Sequence, residues 1–283
     1  MAQQYSPRRF SFLPPVIKNL LIINTLVYLS TFFFRGQFGI EINDYLGLHY
    51  PGSTDFRFFQ FITYQFAHAS LDHLFFNMFA LWMFGYVIEN IMGSKRFLIY
   101  YLVCGIGAAL THYALQYFSL HPTVAAIDAI LANPTLEGIV NFSSTHRFSV
   151  SQYSGEIWTS FQNFQNAFRE LQLNPNDHSA MQTAVSFLSD YKEYYLNLPN
   201  IVGASGCVYG VLLAFGMLYP NSYVYLYFLV PIKTKWMIIA YILIELVDGV
   251  FGMGTANVAH FAHLGGMLAG FIMMKLWNYK KIV

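Results

Sequence analysis

A few polar side chains sit in strongly apolar surroundings, and their types and spacing suggest chemistry. Ser205 lies in Gly203-Ala204-Ser205-Gly206. His260 and His263 lie in Ala259-His260-Phe261-Ala262-His263. His73 and Asn77 bracket Leu74-Phe75-Phe76. A serine hydroxyl becomes a nucleophile when an imidazole can take its proton. Acyl transfer also needs hydrogen-bond donors aimed where charge develops on the carbonyl oxygen. His73 and Asn77 are four residues apart, so a helix would present both on one face as such donors. Each group also has a plainer reading. Ser205 could be an ordinary helix N-cap, and His73 and Asn77 could hydrogen-bond neighbouring helices. The two terminal histidines could sit idle at an interface or form a thin zinc pair, since no carboxylate lies close to them in sequence.

Glycines flank both candidate reacting groups. Gly206-x-x-x-Gly210 follows Ser205 directly, and Gly266-x-x-x-Gly270 begins three residues after His263. Glycines at this spacing let two helix backbones approach closely. Contact between the two notched faces would bring the serine hydroxyl to the imidazole. The isolated Gly203-Ala204-Ser205-Gly206 is not the Gly-x-Ser-x-Gly elbow of soluble hydrolases, because Cys207 and Val208 follow it.

The elements that carry these residues must be membrane helices. Of 283 residues, 56% are hydrophobic and 10% charged, and the mean hydropathy is +0.43. Soluble domains carry about 25% charged residues, so a soluble enzyme, a disordered chain and a disulfide scaffold are excluded. A net charge of +1 leaves no electrostatic footprint for nucleic acid. Cys104 and Cys207 both lie in apolar runs and read as small buried side chains. Apolar runs near 16–34, 69–91, 97–118, 203–219, 233–250 and 257–277 give six candidate spans. The first reads as a retained anchor, and the fifth carries Glu245 and Asp248 near its end.

Orientation follows from the loop cations. Arg8, Arg9, Lys18, Lys95, Arg96, Lys233, Lys235, Lys275, Lys280 and Lys281 fall on one side, against Arg35, Arg57, Arg147, Arg169 and Lys192 on the other. Both termini are therefore expected in the cytoplasm. The expected organisation is a cytoplasmic tail over 1–15, then three spans over 16–118 with an outer loop at 35–68. An extracytoplasmic insert follows over 119–200, and three further spans with a short tail occupy 201–283. The insert carries seven acids against three bases. Ile157, Phe161, Phe164, Phe168 and Leu171 recur at helical spacing. Asn174-Pro175-Asn176-Asp177 breaks that pattern, and a second helix is expected from about 178 to 196.

Together these segments resemble the rhomboid family of intramembrane serine proteases. The resemblance rests on His73-x-x-x-Asn77, on Gly85-x-x-x-Glu89 with Gly93-Ser94, and on Gly203-x-Ser205-Gly206 with Tyr209. Its last piece is Ala262-His263-x-x-Gly266-x-x-x-Gly270. It covers about 60–110 and 200–275 and implies an all-α, six-transmembrane-helix bundle with a helical extramembrane insert between the third and fourth spans. The resemblance makes Ser205 the nucleophile and His263, rather than His260, the general base. His73 and Asn77 match the oxyanion donors, joined by the Ser205 N–H. Tyr209 matches an aromatic that packs on the histidine, and Glu89 a buried carboxylate that ties helices together. Phe59-Gln60 stands where relatives often have Trp-Arg. No span carboxylate is obviously placed to orient the histidine, so a Ser-His dyad is expected.

The implied substrates are transmembrane segments, cleaved near the outer face of a bacterial cytoplasmic membrane without metal, cofactor or nucleic acid. Two other readings stay open. One is an inactive rhomboid-like protein that binds membrane clients. The other is a small transporter relaying protons through His73, His260 and His263.

Overall fold

The computed structural model describes residues 10–198, 200–226, 229–251 and 256–279. Four of the cations used to orient the chain, Arg8, Arg9, Lys280 and Lys281, lie outside the described residues, as does most of the expected N-terminal tail. The described chain is mainly helical. Its helices are α1 Pro15–Phe38, α2 Ile42–Leu46, α3 Gln60–Thr63, α4 Leu71–Met92, α5 Ser94–Ala132, α6 Leu136–Thr145, α7 Glu156–Leu173 and α8 His178–Asn197. After these come α9 Ser205–Leu218, α10 Thr234–Phe251 and α11 Ala256–Leu276. Strands Tyr223–Leu226 and Val230–Lys233 pair antiparallel between α9 and α10.

Local chemistry explains the helix ends. Pro15 starts α1 with its φ already set for a helix, and Gly39 closes it in the left-handed conformation at φ 66°. Ser70 caps α4 by accepting the His73 N–H at 3.1 Å, and Gly93 stops that helix at φ 78°. Asp177, part of the expected break, accepts the Ala180 N–H and caps α8.

Among the described residues, α1, α4 and α5 are long and apolar enough to cross a bilayer, and α9 is apolar but only 14 residues long. Large apolar side chains are exposed on several helices, including Leu26, Phe32 and Phe33 on α1, Phe75 and Phe76 on α4, and Leu243, Ile244 and Val247 on α10. A soluble monomer rarely tolerates so much apolar surface, whereas lipid solvates it. The protein is an integral membrane protein.

The chain divides into two compact units. The first holds residues up to Leu48, Arg57–Tyr113 and the chain from Asn200 onward. Its core joins Leu81, Phe84 and Ile88 of α4, Tyr100, Tyr101 and Cys104 of α5, and Cys207, Val208 and Val211 of α9. The second holds His49–Phe56 and Ala114–Pro199, a division that differs from the expected boundaries at 35–68 and 119. Residues 49–56 belong to it because Ser53 bonds Asn197, and Thr54 Oγ1 donates to Glu193 at 3.1 Å. The helix expected to end near 118 runs on to Ala132 with Pro122 inside it. Its last turns stay helical because Ile127 and Ile130 belong to the aromatic core of the second unit, with Phe142, Phe164, Phe187 and Tyr191.

Phe187 is 1% exposed and stacks on Phe164 at 4.6 Å. Phe187→Ala should cost about 3–5 kcal/mol, read as lost amide-exchange protection over 124–197 of the full chain. His146 contacts the Tyr191 hydroxyl at 2.7 Å, and burial holds its imidazole below the ordinary value of 6.5. The unfolded segment therefore takes up this proton first as pH falls, so protection should be level above about pH 6.5 and decline on acidification. In His146→Phe that acid-dependent decline should shrink.

Candidate active site

The site is built where α9 begins. Gly203 adopts φ +133°, a conformation that side chains rarely tolerate, and a Cβ there would lie 2.7 Å from the His73 ring. Its N–H donates to the Tyr64 carbonyl at 2.9 Å, which fixes the approach of the chain to the helix. Ala204 occupies the N-cap position without a side-chain cap bond, and Ser205 is the first helical residue. The Ser205 hydroxyl does not cap the helix. It lies 2.8 Å from His263 Nε2 on α11.

Backbone contact makes that distance possible. A Cβ on Gly266 would collide with the Gly206 carbonyl oxygen. One on Gly206 would meet the Ala108 methyl, and one on Gly270 would meet the Tyr100 hydroxyl. Tyr100 in turn donates to the Gly210 carbonyl at 2.7 Å, so the glycine faces of α9 and α11 are also tied to α5.

The His263 ring is held on two sides. Tyr209, one turn after Ser205, stacks on it with centroids 4.3 Å apart and planes 7° from parallel. His263 Nδ1 lies 3.0 Å from Glu245 Oε2. The expectation that no span carboxylate orients the histidine is corrected here: Glu245 of α10 reaches the edge of the ring. His260 Nδ1 contacts the same oxygen at 2.8 Å, and the Tyr209 hydroxyl donates to Glu245 Oε1. A buried carboxylate in an apolar run was the available signal, because burying such a charge is costly unless it is paired. The signal carried no partner, since these helices are apolar around most of their circumference.

The same three residues also change the metal argument. Ligand atoms of Glu245, His260 and His263 lie within 4.8 Å of one another, so the histidine pair does have a carboxylate nearby. They form a conceivable divalent-cation set, but one in which a cation would compete for the His263 Nδ1 that faces Glu245.

His73 lines a cavity of about 190 Å³ with Tyr64, Val202, Ser205, Ala262 and His263. Asn77 is buried one turn further along α4, and its Nδ2 has no partner among the described residues. The His68 ring packs 5.0 Å from His73. Elsewhere, Glu89 accepts the Val16 and Ile17 N–H groups at 3.0 and 2.8 Å and the Ser94 hydroxyl at 2.6 Å, joining α1, α4 and α5. Gln60, in the Phe59-Gln60 pair, accepts the Arg57 N–H at 3.0 Å and donates to the Tyr45 carbonyl, which pins the loop between α1 and α4.

Comparison with known proteins is decisive at the family level. The rhomboid domain matches residues 55–138 and 178–279. The chain belongs to the rhomboid family. The match spans α4, α9, α10 and α11 and leaves 139–177 uncovered, so it reaches further into the insert than the sequence motifs do.

Among relatives of this rhomboid, Rhomboid-like protein 11, chloroplastic, of Arabidopsis thaliana is 35% identical over 91 residues, 32% of this chain and 30% of the relative. Rhomboid protease GluP of Bacillus subtilis is 40% identical over 63 residues, 22% of this chain and 12% of its own. Rhomboid protease GlpG of Haemophilus influenzae is 31% identical over 102 residues, 35% and 49% respectively. The chain thus spans about half or less of the length of these relatives. No solved structure matches it significantly.

The glycine contact yields a direct test. Gly266→Val in this rhomboid must push α11 away from a backbone carbonyl, which cannot rotate aside as a side chain can. The expected loss is about 1–3 kcal/mol, read as a lowered unfolding midpoint in detergent. A midpoint equal to wild type would mean that the two backbones are not in contact.

Proposed function

We propose that this rhomboid is an intramembrane serine endopeptidase that cuts transmembrane segments near the outer membrane face. The observation that carries the reading is the 2.8 Å approach of Ser205 Oγ to His263 Nε2 beside a cavity that could admit a peptide carbonyl. His263 Nε2 takes the hydroxyl proton as Ser205 Oγ attacks the scissile carbonyl carbon. The His73 and Asn77 side chains and the Ser205 N–H stabilise the resulting oxyanion, and the unpartnered Asn77 Nδ2 supports that role. His263 then passes its proton to the leaving amine as the C–N bond breaks. Water, deprotonated by the same imidazole, hydrolyses the acyl-enzyme.

The shortness of α9 supports the substrate class. A 14-residue α9 is roughly 21 Å long at 1.5 Å per residue, against about 30 Å for a hydrocarbon core. Ser205 at its N-terminus would then lie below the outer rim, in a six-span bundle with both termini cytoplasmic. Non-helical backbone at such depth is tolerated only inside protein or beside water, and the residues before Ser205 line the cavity. A substrate helix must unwind locally to offer a carbonyl there, which favours small or helix-breaking residues at the cut. The insert, with its excess of acids, would face outward. The bacterial cytoplasmic membrane is the setting carried over from the resemblance.

Fluorophosphonate labelling tests the reading. The purified protein should be modified at Ser205, and Ser205→Ala should lose both labelling and cleavage of a membrane substrate. His263→Ala should lower the rate at least about 10³-fold, whereas His260→Ala should retain measurable activity. Proteolysis that survives in Ser205→Ala would sink the assignment. Absence of both labelling and cleavage in the wild-type chain would favour the client-binding reading.

A further inference from the structure

We infer that Glu245 is a positioning residue for His263, so that Ser205, His263 and Glu245 form a triad in which the carboxylate orients the base. The inference rests on the serine-hydrolase reading above. It starts from an electrostatic oddity: Glu245 is 4% exposed in a largely apolar helix. A buried carboxylate persists only when its oxygens are paired. All three partners come from other helices, and two of them act on one ring. Oε2 faces His263 Nδ1 at 3.0 Å. Oε1 accepts the hydroxyl of Tyr209, whose ring covers the face of the same imidazole. The third partner, His260, faces the same Oε2 at 2.8 Å, its ring 89° to that of His263.

The consequence is a fixed tautomer. An ionised carboxylate only accepts hydrogen bonds, so Nδ1 of His263 carries the proton and Nε2 is left with its lone pair toward the Ser205 hydroxyl. When Nε2 takes the proton from Oγ, the ring becomes a cation 3.0 Å from Glu245. The Nδ1 proton stays on the ring and Glu245 stays ionised. The Nε2 proton leaves later with the amine. A carboxylate that merely tied helices together would have no reason to meet both the edge of the base and the residue stacked on its face.

Glu245→Gln removes the charge at nearly constant volume. The expected result is a retained unfolding midpoint, a KM within about twofold of wild type, and a kcat lowered roughly 10²-fold, with the Ser205 labelling rate falling alongside it. The loss should be smaller than for the acid of a soluble triad, because Tyr209 still holds the ring. Glu245→Asp should recover a substantial part of the rate. A purely structural role would instead lower the midpoint and leave the turnover of folded enzyme unchanged. Nitrogen-15 NMR of histidine-labelled wild-type protein, assigned by the signal missing in His263→Ala, gives a readout that no folding failure can obscure. Nδ1–H with bare Nε2 is expected, and the opposite tautomer overturns the inference.

Wild-type labelling should also be unaffected by a metal chelator. Loss on chelation, restored by zinc, would make Glu245 a metal ligand and overturn the positioning role. A labelled wild type with an unimpaired Glu245→Gln sinks only this inference. An unlabelled wild type sinks the parent reading, and the NMR tautomer still decides the place of Glu245.

Discussion

The site depends on the meeting of two helix backbones at Gly206 and Gly266. A serine hydroxyl extends only one atom beyond Cβ, so the close approach of the two main chains sets where it meets an imidazole on the other helix. Any side chain at Gly266 would enter the Gly206 carbonyl. The contact is held from outside by Tyr100, whose hydroxyl donates to Gly210 and fills the space a Cβ on Gly270 would need. Without a hydrophobic effect to drive helices together inside lipid, close packing and such hydrogen bonds carry the association. The proposed nucleophile and base thus sit beside a direct backbone-to-backbone contact.

Two buried carboxylates show how the same electrostatic demand is met in different ways. Glu89 satisfies its oxygens with the backbone N–H groups that begin α1, together with the Ser94 hydroxyl. Those partners are always neutral donors, and the helix dipole favours the charge there. Its work is architectural. Glu245 instead meets two imidazoles and a phenol. Its partners include a group proposed to change charge during the reaction, so its surroundings vary through a turnover in a way that those of Glu89 do not.

The second unit follows soluble-protein rules. Its helices bury one apolar face each, around Phe164, Phe187 and Tyr191, and their polar faces carry the charges that the membrane helices lack. For that reason its elements were legible in the sequence. The recurrence of Ile157, Phe161, Phe164 and Phe168 marks α7, and Asp177 marks the start of α8. The run-on of α5 was not legible, because polar His121 and Pro122 look like a boundary until Ile127 and Ile130 find their place in the aromatic core.

Composition alone determined that this chain lives in a bilayer, since too few charged residues exist to cover a water-facing surface. Motif spacing grouped Ser205 with Gly206 and Gly210, and His263 with Gly266 and Gly270, because those relations are local to one helix and follow from its 3.6-residue turn. The role of Glu245 was decided only in three dimensions. It stands 36 residues from Tyr209 and 18 from His263, on a helix that is apolar on nearly every face. Such a helix has no polar stripe to reveal its rotation, so only packing against α9 and α11 could tell which way the carboxylate points.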